Sequence, residues 1–215
     1  MAAEIFRDRI DAGRQLADEL LHYGGRPGVI VLALPRGGVP VAAEVARRLA
    51  LPLDLFVVRK LGVPGHEELA MGAIASGGVR VLNRDVLDAL NAPSEMVEEV
   101  TRIAAEELQR QERIYRAGPA PEVRERTVIL IDDGLATGAT MRAAVAALRQ
   151  EGAAKIVTAV PVGAASTCRE LAREVDEAIC LISSEAFVGV GQYYEDFSQT
   201  SDEEVRTLLA ESSRP

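Results

Sequence analysis

At 215 residues and 48% hydrophobic content, the chain can bury one substantial core, and nothing in it demands a second domain. Its net charge of −9 argues against nucleic acid as the main partner, because phosphate-backbone binding relies on a clustered positive surface. No apolar run approaches the roughly 18 residues of a membrane span, and residues 1–10 are too charged for a signal peptide, so a cytoplasmic protein without a membrane partner is expected.

Apolar runs suited to strands alternate with helical patterns, as in a parallel sheet covered on both faces. Residues 5–23 carry Ile10, Leu16, Leu20 and Leu21 and stop at Gly24-Gly25, which predicts a helix. Strands are predicted over 29–34 and 53–58, with a helix over 39–49 between them. Residues 61–74 are polar at the centre and bracketed by glycines, so they read as a long mobile lid. The lid offers His66, Glu67 and Glu68 as proton carriers, although a loop histidine is more often simply solvated. An apolar stripe at Val97, Val100, Ile103, Ala104 and Leu108, after a cap at Ser94, predicts a helical insertion over about 83–118, ended by Pro119-Ala120-Pro121.

Downstream, a strand through Ile131 precedes a helix over 141–150, a strand over 156–160, a helix over 164–175 and a strand over 178–182. Cys168 and Cys180 have no metal-ligand partners at useful spacing and read as reduced thiols, Cys180 in a core strand. The segment 185–215 holds Phe187, Tyr193, Tyr194 and Phe197, which serve equally well as a hood over a base or as pins for the C-terminal segment. Ser201-Asp202-Glu203-Glu204 reads as a capping box for a last helix. The expected fold class is α/β: an open, mostly parallel, doubly wound Rossmann-like sheet over about 28–182, in a single domain spanning 1–215 with a helical insertion and a small C-terminal hood.

One segment concentrates chemistry. Val128-Ile129-Leu130-Ile131 is an apolar run, Asp132-Asp133 supplies two adjacent acids, and Gly134-Leu135-Ala136-Thr137-Gly138-Ala139-Thr140 opens straight into a helix. That pattern describes a buried strand ending in two carboxylates, followed by a loop whose N–H groups point at an anion. Gly134 to Gly138 lacks the Gly-Lys-Thr ending of a P-loop, and no G-x-G-x-x-G fingerprint occurs; Gly189-Val190-Gly191 lacks the third glycine. Paired carboxylates accept hydrogen bonds from vicinal diols, at roughly 1.5–3 kcal/mol for each bond to a charged group. A ribose 5′-phosphate would satisfy acids and loop together, whereas a lone Asp-Asp-Gly would be only a solvated turn.

The apolar strand, the two acids and the Thr-Gly-x-Thr turn resemble the signature of the type I phosphoribosyltransferases. The resemblance implies that Asp132 and Asp133 bind the ribose hydroxyls of phosphoribosyl pyrophosphate (PRPP), while Ala136, Thr137, Gly138, Ala139 and Thr140 wrap its 5′-phosphate. It further implies that Leu34-Pro35-Arg36-Gly37-Gly38, where two glycines let the backbone approach an anion and Arg36 neutralises it, is the pyrophosphate loop, often containing a non-proline cis peptide. Arg59 and Lys60, expected at the end of the 53–58 strand, would join Arg36, Gly37 and Gly38 on pyrophosphate, and Asp132, Asp133, Arg59 and Lys60 are the candidate catalytic set. Ala136 stands where 6-oxopurine enzymes of the family carry an acid, so that base class is disfavoured. The loop 161–167 would face the base, with Ser166 either touching it or capping a helix.

The expected activity is transfer of the phosphoribosyl group to an unidentified nitrogenous acceptor. Mg²⁺ would be held mainly by substrate oxygens and water, with no direct protein ligand, and a homodimer is open. Rivals are a PRPP- or nucleotide-sensing regulator and, further off, an α/β hydrolase using Asp132, which would want more acids at strand ends.

Overall fold

The computed structural model describes residues 5–116 and 118–212, and of Glu67 and Glu68 only the backbone, so their expected proton-carrying role lies outside the described residues. In chain order the elements begin with α1 (Arg9–Glu19), β1 (Val29–Ala33), α2 (Gly38–Leu49), β2 (Leu53–Leu55), β3 (Val58–Val63), β4 (His66–Ala75) and β5 (Arg80–Leu82). They continue with α3 (Arg84–Leu90), α4 (Ser94–Tyr115), β6 (Thr127–Ile131), α5 (Ala139–Glu151), β7 (Lys155–Ala164), α6 (Ala165–Leu171), β8 (Glu177–Ser184) and α7 (Asp202–Ser212).

Two runs with almost no polar residue, 29–33 and 127–131, become neighbouring strands at the centre of a five-stranded sheet ordered β2-β1-β6-β7-β8. All four pairings are parallel, with Ala33 opposite Ile131 and Ile131 opposite Ala159. The side-chain period of two then splits each run between two layers. Val31, Ala33, Ile129 and Ile131 pack with Leu16, Val41 and Val45 of α1 and α2. Ile30, Leu32, Val128 and Leu130 pack with Met141, Ala144 and Leu148 of α5. The expected α/β doubly wound sheet is therefore what forms, and its central strands are apolar throughout because both faces are buried.

The expected strand over 53–58 is two strands in two different sheets. Phe56 and Val57 are buried at the junction, where Val57 N–H donates to Ser76 Oγ at 2.9 Å and Ser76 N–H to Val57 O at 2.8 Å. The chain leaves the parallel sheet there and enters an antiparallel β3-β4-β5 sheet. An apolar run carries no mark of where it changes sheets.

The expected long lid is likewise a β-hairpin. Pro64 and Gly65, the latter at φ 79°, make its turn, and the register slips between Leu61 and Val63 so that Val63 pairs with His66. Proline followed by a positive-φ glycine suits a tight turn, and Leu61, Val63 and Met71 bury one face.

The insertion forms α3 and α4. Asn83 caps α3 by accepting from Val86 N–H at 3.3 Å, whereas Pro93 rather than Ser94 precedes α4. Val97, Ala104 and Leu108 are buried, but Ile103 is 54% exposed because it sits about 100° around the helix from Ala104. Strand β7 runs through Pro161 to Ala164, the first part of the expected 161–167 loop, and its ladder with β8 skips the N–H-less proline, pairing Val160 with Cys180 and Val162 with Ile182. Helix α6 ends at Leu171, short of the expected 175.

Glu151, at the end of α5, faces the turn at Gly77 and has a buried Oε1 without a hydrogen-bond partner. Burial pushes its carboxyl from 4.5 up to about 7. Between those values the folded state binds more protons than the unfolded one, so this group's contribution to stability is present at acid pH and is lost as pH rises through about 7. Glu151→Gln is expected to gain on the wild type by about 1–2 kcal/mol between pH 5 and pH 8, after allowing for solvent screening of a half-buried group. Urea midpoints at the two pH values check this; a mutant-to-wild-type difference that does not change with pH would refute it.

Candidate functional site

Because β1 and β6 are parallel neighbours ending at the same level, the loops that follow them meet. Leu34 N–H donates to Ile131 O at 2.9 Å, and the Pro35–Arg36 peptide is cis. Gly37 and Gly38 lie directly on the acids. A Cβ at Gly38 would stand 2.7 Å from Ile131 O and 2.9 Å from Asp132 Cα, and one at Gly37 would stand 2.0 Å from Asp133 Oδ2. Gly37 has ordinary helical dihedrals, φ −60° and ψ −35°, so space rather than backbone freedom demands glycine. Arg36 extends from this loop to within 3.5 Å of Asp202 Oδ1, an atom that also accepts from Tyr115 Oη at 2.7 Å. The Arg36 pair is partly exposed and contributes little to stability.

The two acids differ in their surroundings. Asp132 Oδ1 accepts from Asp133 N–H at 2.9 Å. Burial, and then the negative charge of Asp133 beside it, push the Asp132 carboxyl well above the ordinary carboxylate range. Asp133 instead has a cation: Arg9 of α1 places Nε 2.9 Å and Nη2 2.8 Å from its Oδ2. Arg9 in turn donates from Nη1 to Ser198 O at 2.7 Å and lies 4.1 Å over the Phe197 ring. Tyr194 Oη donates to the Asp133 carbonyl at 2.7 Å, and burial raises that phenol so that it stays a neutral donor.

Nothing local in the sequence marks Arg9, and Tyr194 reads there only as part of a hood or a pin, not as a support of the acids. Arg9 stands 124 residues before Asp133 in a charged, surface-like stretch, and no local pattern marks it. The aromatics gave half a signal. Tyr193 and Tyr194 are buried and bind the segment to Phe6, with Phe6 N–H donating to Tyr193 O at 2.8 Å, so they pin the chain and support the acids.

The anion loop follows at once. Gly138 adopts φ 73°, where a side chain would be strained and where a Cβ would also stand 2.8 Å from Thr167 Cγ2. Thr167 Oγ1 donates to Ala136 O at 2.8 Å, and Arg142 Nη1 to Thr137 O at 3.1 Å, which holds the loop's carbonyls back. The first N–H groups of α5 have no partner within the helix, so the loop and helix start present donors and the positive end of a dipole. A cleft of about 160 Å³ results, lined by Asp132, Gly134 to Met141, and Val190. That is below the roughly 300–1,000 Å³ of drug-sized pockets, and it suits a phosphate with part of a sugar.

Arg59 and Lys60 do not line that cleft. They sit inside β3 rather than at the carboxyl edge of the parallel sheet, and they line a groove of about 620 Å³ against α4, where Arg59 is 3.7 Å from Glu107. Ser166 is exposed and does not cap α6, which begins without a side-chain cap. Among the described residues no group of three or more His, Cys, Asp or Glu is placed to hold a metal, and no helix is long and apolar enough to cross a membrane.

The sequence matches the family model of the phosphoribosyl transferase domain over residues 2–198. Proteins of two Mycobacterium tuberculosis strains, named provisionally as phosphoribosyl transferases, are 48% identical over 212 residues, which is 98% of this chain but 48% of theirs. The chain thus spans about half the length of these relatives. The crystal structure of TT1426 from Thermus thermophilus is similar with a TM-score of 0.85 and 40% identity, over 98% of this chain and all of that one. AQ2163 from Aquifex aeolicus shares the fold alone, at a TM-score of 0.50 and 11% identity over 82% of this chain and 74% of its own. With a family match over nearly its whole length and a carboxylate pair set against an anion loop, the chain belongs to the phosphoribosyl transferase domain family.

Proposed function

We propose that this protein binds PRPP with Mg²⁺ and transfers the phosphoribosyl group to a nitrogenous acceptor, releasing pyrophosphate. The observation that carries the reading is the cleft in which Asp132 meets a helix-opening loop, with Asp133 and a glycine pair pressed onto the two acids beside it. In this reading Asp132 and Asp133 take the ribose diol, and the segment from Ala136 to Thr140 takes the 5′-phosphate. Arg36 with the Gly37-Gly38 backbone takes the leaving pyrophosphate, and Arg59 and Lys60 are proposed to join it from the hairpin. An acceptor nitrogen attacks C1′ as the C1′–O bond to pyrophosphate breaks. The protein's part is positioning and stabilising charge on the leaving group.

Two adjacent carboxylates suit a metal whose ligands are mainly substrate oxygens and water; Asp132 and Asp133 would hold it through those, without coordinating it directly. When bound, Mg²⁺ supplies charge neutralisation on the diphosphate. Asp132 gives up its proton as the diol engages it, so binding is expected to tighten as pH rises through the range where its raised carboxyl titrates.

A second reading, a PRPP-sensing protein without turnover, is favoured by one observation: Ala136 carries a methyl group at the position where 6-oxopurine enzymes of the family carry an acid. Incubating the protein with Mg·PRPP and a panel of nitrogenous bases while following pyrophosphate separates the two. Release with one base, and none with hypoxanthine or guanine, is the expected result. PRPP binding with no release for any base would favour the sensor.

A further inference from the structure

Behind the anion loop lies a pair of thiols that the transfer chemistry does not use. Cys168 of α6 and Cys180 of β8 are free, yet their sulfurs are 2.9 Å apart, compared with about 2.05 Å for a disulfide. Both residues are partly exposed. The space between them is made by Gly163 of β7, where a Cβ would stand 2.5 Å from Cys168 Sγ and 3.3 Å from Cys180 Sγ. The hydrogen bond between the thiols lowers Cys168, with Arg169 adding to the effect, while the same bond and burial raise Cys180. One sulfur is thereby favoured as thiolate and the other kept as its protonated partner.

The pair is wired to the anion loop on two sides. Thr167, next to Cys168, donates to Ala136 O at 2.8 Å and packs on Gly138. Gly163 bridges Leu135 of the loop, with Leu135 N–H donating to Val162 O at 2.8 Å and Ala164 N–H to Leu135 O at 2.9 Å. Closing the sulfurs by about 0.9 Å draws the Cys168 and Cys180 side chains together around Gly163, and α6 and β7, which flank them, contact the loop through Thr167 and Gly163.

We propose that Cys168 and Cys180 form a reversible disulfide with a hydroperoxide as oxidant, and that the bond resets the loop from Ala136 to Thr140 and with it the affinity for a phosphate ligand. The Cys168 thiolate attacks the peroxide: an S–O bond forms, the O–O bond breaks, and the departing oxygen takes a proton and leaves as alcohol or water. Cys180 then attacks the Cys168 sulfur; an S–S bond forms, the S–O bond breaks, and water leaves with the Cys180 proton. Two thiols are oxidised by two electrons in total and one peroxide is reduced. A dithiol returns the electrons and protons.

The test treats the full chain with a slight excess of hydrogen peroxide. It follows titratable thiols, intact mass, hydrogen exchange of the 136–140 amides and Mg·PRPP affinity. The expected result is joint loss of both thiols with a mass decrease of two hydrogens, reversed by dithiothreitol, together with altered exchange at 136–140. Cys180→Ser should instead gain oxygen at Cys168 and leave loop exchange unaltered. Oxygen addition to the wild type without loss of hydrogen, or thiols that stay titratable, would overturn the disulfide. A disulfide with unchanged loop exchange would overturn the coupling. The affinity arm rests on the proposed function and should show at least a roughly fivefold change. Absence of PRPP binding in both forms counts against that function and leaves the exchange arm to decide the coupling.

Discussion

Asp132→Asn is expected to weaken Mg·PRPP binding roughly 10- to 100-fold while leaving folding stability unchanged or slightly raised. In the proposed function the substitution removes a charge-assisted hydrogen bond to the ribose diol, which accounts for the expected loss of affinity. It also removes a carboxyl whose ionisation is opposed by burial and by its neighbour, so the ligand-free fold loses nothing by giving it up. Asp133→Asn is expected to behave differently. Its affinity loss should be similar, but its stability should fall by about 1–3 kcal/mol, because Arg9, with a side chain only 11% exposed, loses its counter-ion. The amide oxygen of asparagine still accepts a neutral bond, and Ser198 and Phe197 still hold the guanidinium, which keeps the cost at that level. Titration calorimetry with Mg·PRPP and urea denaturation of both variants give the two axes. Unchanged affinity in both variants would remove the diol assignment, and equal stabilities would remove the structural role of the Arg9 pair.

Gly37→Ala is expected to be as damaging, by sterics alone. The new methyl carbon would stand 2.0 Å from Asp133 Oδ2 and 2.6 Å from its Cγ, so the carboxylate must swing away. Arg9 opposes that movement by holding the same oxygen at 2.8 Å. Either the Arg9 contact breaks or α2 shifts off the sheet, at a cost of about 1–3 kcal/mol, and PRPP affinity should fall at least roughly 10-fold because Asp133 no longer faces the diol. Gly189→Ala is the control. That glycine has extended dihedrals, φ −178° and ψ 159°, and nothing lies within 4 Å of an added Cβ. Binding and denaturation measured on both variants decide the point, and a Gly37→Ala protein indistinguishable from the control would show that the glycine pair does not set the position of Asp133.

Much of this protein was written locally in its sequence. Consecutive apolar residues at 29–33 and 127–131 required strands buried on both faces, and the acids with a Thr/Gly turn at 132–140 required a polar strand end opening into a helix, because each of these properties belongs to residues a few positions apart. The glycines at 37 and 38 signalled close backbone approach for the same reason. Properties set by distant segments were not legible. Whether 53–58 stayed in one sheet depended on Ser76, whether 61–74 was loop or hairpin depended on β5 and the core packing of Met71, and the placing of Arg59 depended on Glu107. Arg9, Tyr194 and the Cys168–Cys180 pair acquire meaning only when α1, the aromatic segment and β8 converge behind one strand end. Local pattern therefore determined the layers and the carboxylate and anion-loop residues, since it reports burial and turn chemistry. Which cation neutralises which acid, and which thiols meet, was decided by the tertiary structure, because those contacts are fixed by how the sheet orders its strands.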